Sequence, residues 1–244
     1  MKRVAIVLLI IVLLVGIIFG IMYFLPDNQV VVEPPEPSGE IEIKSPAEEL
    51  VISTVSTRTQ TQKRLVNAEI PHMDSLSNDS FQEEINDKIA SLIKPYINEI
   101  AIVADDTISK QYVYEVSYER YNNENFVSLL IAQNYNTGGM RSNEWKDTFT
   151  IDVVKNKELT LKDVCSSKDY KKIIVDEVNK QARENNISLV AGNGLVDIPD
   201  SQRFYIKDEK LYIYFEPASI APYLDGEMHF EMPYEFVDGE FILE

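Results

Sequence analysis

Residues 111–136 read QYVYEVSYERYNNENFVSLLIAQNYN, and this stretch decides the fold. In Gln111–Tyr121 aromatic and aliphatic side chains alternate with glutamate and serine, which is the period of a β-strand. The polar turn 122–125 leads into a second run of strand-forming residues, Phe126–Asn136. Short turns between such runs indicate an antiparallel meander with one face in water, and we expect Trp145–Val153 to be its third strand.

Two amphipathic helices and several further strands complete the predicted fold. Apolar residues recur at helical spacing after a capping box formed by Ser80 and Glu83, and Pro95 should kink this first helix or divide it in two. The pattern of residues 167–185 predicts the second helix. The remaining strand patterns lie at 50–59, 63–70, 203–206, 211–215 and 227–236.

The order of these elements predicts an α+β fold, because runs of strands are separated by only two helices and no regular βαβ alternation occurs. We expect antiparallel sheets, each packed by one helix, in two half-domains of related size. The first half-domain would span residues 48–153 and the second residues 154–244.

The N-terminal part of the chain is predicted to lie outside this fold. Lys2 and Arg3 precede an apolar run without charge, residues 4–25, which as a helix of roughly 33 Å matches a bilayer core. The positive-inside rule then leaves residues 1–3 in the cytoplasm and predicts a single-pass protein of the cell membrane with an extracellular C-terminal domain. A cleaved signal peptide is the alternative, although the run is long and has no small-residue cleavage site. Residues 26–47, rich in proline and glutamate, indicate a linker.

The composition is strongly acidic, with a formal net charge of −17. Such a surface repels nucleic acid and anionic lipid, and it attracts a cationic partner. Acidity also serves simply to keep a protein soluble, so both interpretations remain open. Cys165 is the only cysteine, which excludes an intramolecular disulfide. An exported domain of this kind must be held together by its hydrophobic core.

The sequence contains no recognisable catalytic or metal-binding motif. Its two histidines, His72 and His229, have no companions at the spacing of a zinc site. Nucleophile-elbow, Walker and dinucleotide-binding patterns do not occur. Acidic pairs are frequent in so acidic a chain and say little about a glycosidase or calcium site. We therefore expect no enzyme, no cofactor and no metal.

Two loops are the candidate binding elements. The first follows the strand that ends near residue 136, and its paired glycines permit a backbone that other residues rarely adopt. The second, residues 216–226, is long for a connection between strands. The alternative is that Ile220 and Tyr223 pack beneath this second loop as core. The residues expected to contact a partner are Tyr135, Asn136, Gly138, Gly139, Pro217, Pro222, Tyr223 and Asp225.

Both loops lie in stretches that resemble a known pair of extracytoplasmic domains of unknown function. The first domain has a tyrosine-x-x-Gly-Gly turn, found here as Tyr135–Gly139, and a strand ending in Asp that leads to a segment similar to Leu159–Val164. The second domain has motifs similar to Ile220-Ala221-Pro222-Tyr223 and Met232-Pro233-Tyr234. The pair occurs in RsiV-type anti-sigma factors and before the catalytic domain of PdaC-type peptidoglycan deacetylases. The resemblance extends over residues 48–240.

The resemblance implies a receptor function. In the RsiV type, the extracellular domain binds lysozyme, a strongly basic protein, and this triggers proteolytic release of a sigma factor. An acidic domain suits such a ligand through electrostatic steering. Residues 1–3 offer no room for a sigma-binding segment and no deacetylase domain follows Glu244, so we expect a binding half without anti-sigma output.

We therefore predict a membrane-anchored, extracytoplasmic binding or sensing module of the cell envelope. Its expected partner is a cationic protein such as lysozyme, or a cell-wall component such as peptidoglycan. The second hypothesis is an accessory envelope protein that docks a membrane or wall-enzyme partner. A carboxylate-dependent wall hydrolase is the third.

Overall fold

The computed structural model describes residues 44–189, 194–237 and 240–243. The predicted cytoplasmic tail (1–3), the predicted anchor (4–25) and residues 26–43 of the predicted linker lie outside this part of the chain. Within the described part, no helix combines the length and the apolar composition needed to cross a bilayer.

A six-stranded sheet forms the larger part of the described chain. Its strands are β1 (Ile52–Gln60), β2 (Arg64–Met73), β3 (Tyr112–Asn123), β4 (Phe126–Asn136), β5 (Asn143–Asp152) and β6 (Lys157–Glu158). They lie side by side in chain order, and β3, β4 and β5 confirm the predicted antiparallel order. The predicted water-facing side is wrong for β4, because Ser128 and Leu130 on that side are buried. Neighbours are antiparallel except β2 and β3, which are parallel. The prediction of purely antiparallel sheets is wrong here, because a helix between β2 and β3 returns the chain to the same end of the sheet.

That helix, α2 (Asp79–Ile102), follows the one-turn helix α1 (Pro46–Glu49) in the chain and covers one face of the sheet. Alternate residues of a strand point to the same face of the sheet, and the apolar residues of β3 face α2. The glutamates of β3 therefore lie on the opposite face. The helix buries Ile85, Ile89, Ile93 and Ile100 against Tyr114, Val116, Leu129 and Ile131 of β3 and β4.

The start and the middle of α2 differ from the prediction. Asn78 is the N-cap, and its Oδ1 accepts a hydrogen bond from the backbone N–H of Phe81 at 3.0 Å. Ser80 therefore lies inside the first turn and does not form the predicted capping box. The helix also continues through Pro95, so it is not divided in two. Burial of its apolar stripe outweighs the one backbone hydrogen bond that proline removes.

A three-stranded antiparallel sheet and a second long helix enclose the other core. The strands are β7 (Phe204–Lys207), β8 (Lys210–Phe215) and β9 (Met228–Glu231), and the helices before them are α3 (Leu161–Val164) and α4 (Tyr170–Glu184). The α+β class is confirmed, and one long helix packs on each of the two larger sheets. Core residues from α4 and this sheet include Ile174, Val178, Ile206, Ile213 and Phe230.

The predicted strand at 227–236 is interrupted in the structure. Met232 and Pro233 separate β9 from β10 (Tyr234–Val237), which pairs with β11 (Glu240–Leu243) in a two-stranded sheet. Because proline has no N–H to donate to a ladder, Pro233 explains the interruption.

The three-stranded sheet, from here on the smaller sheet, packs on the face of the larger sheet that is not covered by α2. Its edge strand β7 makes the contact. The backbone N–H of Ile206 donates to Ser128 Oγ at 2.9 Å, and its carbonyl accepts from Asn123 Nδ2 at 3.1 Å. Ser128 Oγ also lies 2.9 Å from Thr150 Oγ1. Side chains of one sheet thus satisfy the edge of the other, which fixes the position of β8, β9 and the loop between them.

Candidate functional site

The loop between β4 and β5 is folded back on itself by Asn136. Its Oδ1 accepts a hydrogen bond from the backbone N–H of Gly138 at 2.7 Å, and its Nδ2 lies 3.4 Å from Gly139 O and 3.3 Å from Ser142 Oγ. An asparagine bonded to the backbone two residues ahead forms an Asx turn, which holds a tight bend. The side chain of Asn136 therefore stabilises the conformation of this loop.

Gly138 is the one position of this loop that requires glycine. Its φ is +86°, and a Cβ atom added to it would lie 2.9 Å from the Cβ of Lys110. Gly139 has no such constraint, because the nearest atom to an added Cβ there is Arg141 O at 3.5 Å. The two glycines that the sequence presents as a pair have different roles.

Backbone hydrogen bonds between residues three apart stabilise the loop between β8 and β9. The N–H of Ser219 donates to Glu216 O at 3.1 Å, and the N–H of Asp225 donates to Pro222 O at 2.9 Å. The second bond closes a 3-10 turn over Tyr223–Asp225. Pro222 and Asp225 are exposed, and Pro217, within the first turn, is partly buried.

Within this loop, the predicted packing beneath the loop is found for Ile220 but not for Tyr223. Ile220 packs against the core of the smaller sheet, and the neighbouring Ala221 is buried. Tyr223 instead stays 40% exposed. Ile220 and Ala221 thus anchor the loop, and the residues after Pro222 are carried on its surface.

The two predicted loops meet. Tyr223 Oη donates a hydrogen bond to the carbonyl of Ser142 at 3.3 Å, and the guanidinium of Arg141 lies over the Tyr223 ring, 5.5 Å from its centroid. Beside this contact, Met140 is 99% exposed and Leu224 is 87% exposed. We call the surface formed by Met140, Arg141, Tyr223 and Leu224 the loop platform.

Tyr135 does not belong to that surface, and its predicted role in direct contact needs correction. Its side chain is only 9% exposed and packs with Tyr96 and Tyr114, at ring-centroid distances of 5.1 and 6.0 Å. Trp145 joins the cluster through Tyr96, at 5.3 Å. Because these rings lie at the end of β4, they fix the strand from which the first loop departs.

A polar groove lies next to the two loops, and it is lined by Glu144, which follows the first loop, and Glu227, which follows the second. It has a volume of about 480 Å³ and lies on the open face of the larger sheet. Asn134 Nδ2 donates to Glu115 Oε2 at 2.9 Å on its floor, and Lys146 Nζ lies 2.6 Å from Glu227 Oε1 at its wall. Three carboxylates and one ammonium group give this groove a net negative charge, which favours cationic groups.

Glu227 is held in its charged form. Partial burial works to raise its pKa, but the hydrogen bonds from Lys146 and His229 together hold the pKa below its usual value. His229 Nε2 lies 3.1 Å from Glu227 Oε1, and His229 Nδ1 lies 3.1 Å from the hydroxyl of Tyr205. His229 lies on the exposed face of β9, and its ring links Glu227 to Tyr205 of β7.

A line of polar contacts connects the larger and the smaller sheet. Arg203 Nη2 lies 2.8 Å from Asp147 Oδ1, and Asp147 Oδ2 accepts from Gln133 Nε2 at 2.6 Å. Tyr114 Oη donates to Gln133 Oε1 at 2.5 Å, and burial raises the pKa of Tyr114. These four residues, the cross-sheet network, were not predicted from the sequence. The only signal was a polar residue at two buried strand positions, Gln133 and Asp147.

Among the residues that the structure describes, no group of three or more His, Cys, Asp or Glu side chains is arranged to hold a metal ion. His72 is paired with Asp74, its Nδ1 lying 2.9 Å from Asp74 Oδ1. Cys165 is buried, and burial raises the pKa of its thiol to about 12. A thiol with so high a pKa is a poor nucleophile near neutral pH.

Comparison with protein families finds two successive matches, each over less than half of the chain. Residues 57–144 match the model described as deacetylase PdaC, and residues 157–235 match the model described as a protein of unknown function, DUF3298. The comparison with curated proteins finds no match.

Two solved structures share the fold. A DUF3298 family member from Bacteroides fragilis superposes with a TM-score of 0.60 at 13% identity, covering 81% of this chain and 95% of that chain. A DUF3298 family protein from Pseudomonas aeruginosa gives a TM-score of 0.55 at 12% identity, with coverages of 77% and 92%. Together with the family matches, these structures support a DUF3298/PdaC-like domain family for this chain. The predicted resemblance is confirmed at this level, and the closer likeness to RsiV-type receptors stays a prediction.

Proposed function

We propose that this chain is a membrane-anchored, extracytoplasmic binding module of the cell envelope whose ligand is a cationic protein of the lysozyme type. The observation that carries the proposal is the contact between Tyr223 and Ser142. It joins two loops that are far apart in the sequence into one surface. That surface is the loop platform.

The platform has the composition of a protein-binding surface. Large exposed apolar side chains that lie together mark interaction sites on soluble domains, and aromatic residues, methionine and arginine are enriched in interfaces. Met140 and Leu224 supply the exposed apolar area. Arg141 lies over the Tyr223 ring at cation–π distance, and this contact restricts the ring and so lowers the entropy lost on binding.

The charge around the platform selects the class of partner. Asp225 lies within the second loop, and Glu144 and Glu227 line the adjoining groove. The whole chain carries a net charge of −17, so a basic protein is attracted at long range and an acidic one is repelled.

The location and the ligand are inferred from the sequence. The uncharged apolar run at residues 4–25, preceded by two basic residues, supports an anchor with the folded domain outside the cytoplasm. The resemblance to RsiV-type receptors supports lysozyme as the first ligand to test. Binding without catalysis is the proposed activity.

Calorimetric titration of residues 46–244 with lysozyme, at low and at physiological salt, tests the ligand. We expect saturable binding that weakens as salt screens the charges, and no comparable binding of cytochrome c, a basic protein of unrelated fold. Absence of lysozyme binding at both salt concentrations would contradict the proposal. Equal binding of both basic proteins would reduce it to nonspecific attraction.

A further inference from the structure

The two larger sheets have four edge strands, β1, β6, β7 and β9, and three of these are protected. The free edge of β7 is satisfied by Ser128 and Asn123 of the larger sheet. On β9, the carbonyl of Glu231 accepts from Gln181 Nε2 at 2.6 Å. β6 has only the two residues Lys157–Glu158, and very short edge strands are a common protection. The fourth edge is β1, which is nine residues long.

The backbone groups that β1 turns outward follow from its pairing with β2. At one end the N–H of Thr61 donates to Arg64 O at 2.8 Å, and at the other the N–H of Asp74 donates to Val51 O at 3.0 Å. Alternate residues of an antiparallel strand bond to the same side. Odd-numbered residues of β1 therefore face β2, and the outward residues are Ile52, Thr54, Ser56, Arg58 and Gln60.

These outward N–H and C=O groups have no hydrogen-bond partner among the residues that the structure describes. β1 also lacks the devices that usually protect an edge. It contains no proline, and its single charged residue, Arg58, pairs with Glu69 of β2 at 3.4 Å. An open edge of this length is a template for one more strand.

The charge of this edge fits a second copy of the same chain. Two molecules with a net charge of −17 repel each other over most of their surfaces. The segment 51–63 is different, because it contains Arg58 and Lys63 but no Asp or Glu. Repulsion between two copies is therefore reduced where β1 meets β1.

We propose that two copies of this chain associate by antiparallel pairing of their β1 strands, which joins two six-stranded sheets into one. The symmetric register that uses the whole strand is centred on Ser56. Ser56 then lies opposite Ser56 of the second copy, Thr54 opposite Arg58, and Ile52 opposite Gln60. Five outward residues on each strand give about ten hydrogen bonds.

The pairing is small, so its strength depends on where the protein is held. One strand pair of about 30 Å is short for a stable interface between freely diffusing proteins. Two copies anchored in the same membrane meet at a raised effective concentration, which compensates for a small interface. The loop platform uses no residue of β1, so the dimer leaves it free, and this inference stands apart from the proposed ligand.

Cysteine cross-linking of the full chain in proteoliposomes tests the register. Directly opposite, hydrogen-bonded residues have Cα atoms about 5.5 Å apart, within the range that a disulfide spans. Ser56→Cys should therefore form a dimer under mild oxidation. Thr54→Cys is the matched control, because it lies on the same side of the strand but faces Arg58, so it should stay monomeric. Cys165 is buried in both variants.

Two further variants test the same register at a second position and show whether the cross-link depends on strand pairing. The double variant Thr54→Cys/Arg58→Cys should cross-link, and adding Ser56→Pro should abolish that cross-link, because proline removes an outward N–H and leaves the bonds to β2 intact. Equal cross-linking of Ser56→Cys and Thr54→Cys would overturn the proposal. So would cross-linking that persists with Ser56→Pro, or its absence in all of these variants.

Discussion

Arg203, the residue before β7, and Asp147 in β5 form an ion pair that joins the two sheets, with Nη2 and Oδ1 2.8 Å apart. The Asp147 side chain is 11% exposed and also accepts hydrogen bonds from Gln133 and Trp145. Because Arg203 supplies the countercharge of this carboxylate, it couples the orientation of the smaller sheet to the larger one. The position of the Tyr223 loop over the Ser142 loop depends on that orientation.

Replacing Arg203 should therefore destabilise the domain. Arg203→Met leaves the Asp147 carboxylate with hydrogen bonds but without its cation, and we expect the free energy of unfolding to fall by about 2–3 kcal/mol. Urea denaturation of residues 46–244 measures it. Lys172→Met is the matched control, because the Lys172–Asp176 pair lies on the exposed side of α4, and its loss should cost less than about 0.5 kcal/mol. Equal losses would show that Arg203 acts only at the surface.

The two glycines of the first loop should respond differently to alanine. Gly138→Ala forces a side chain into a φ of +86° and to within 2.9 Å of the Lys110 Cβ, and we expect it to cost about 1–3 kcal/mol of unfolding free energy. Gly139→Ala meets nothing nearer than 3.5 Å and should cost less than about 0.5 kcal/mol. Urea denaturation of both variants decides this. A similar effect at both positions would contradict the assigned backbone geometry.

The lowered pKa of Glu227 makes the unfolding free energy of the domain depend on pH. Its folded-state pKa lies below the ordinary value of 4.5, so its contribution is present above pH 4.5 and is lost as the pH falls through the folded-state pKa. The difference in unfolding free energy between the wild type and Glu227→Gln should therefore be largest near neutral pH and shrink below pH 4.5. Urea denaturation between pH 3 and pH 7 tests it, and a difference that grows on acidification would refute the assignment.

The sequence predicted the parts of the fold that depend on local pattern. Alternation located β3 and β4 closely, and the polar face of β3, with Glu115, became the floor of the groove. The paired glycines and the long loop located the surface that became the loop platform. These signals are local, because a strand face and a turn are each specified by residues close together in the chain.

The remaining features depend on contacts between distant residues. The parallel pairing of β2 and β3, for example, follows from where α2 packs. Tyrosine is a residue type common in interfaces, but Tyr135 packs in a ring cluster with Tyr96. Tyr96 lies 39 residues earlier in the chain, so the sequence near Tyr135 does not show this packing. Asp147 shows its role only beside Arg203, which lies 56 residues away.

The central claim is that the loop platform is the contact surface for a cationic protein, and loop variants test it most directly. Lysozyme titration should be compared among the wild type, Met140→Ala/Leu224→Ala and the control Val154→Ala. Val154 is also an exposed apolar residue, but it lies beyond the far end of β5, about 30 Å from the first loop. We expect the double variant to bind at least about tenfold more weakly and Val154→Ala to bind like the wild type. Unchanged binding of the double variant, or equal weakening by Val154→Ala, would contradict the account.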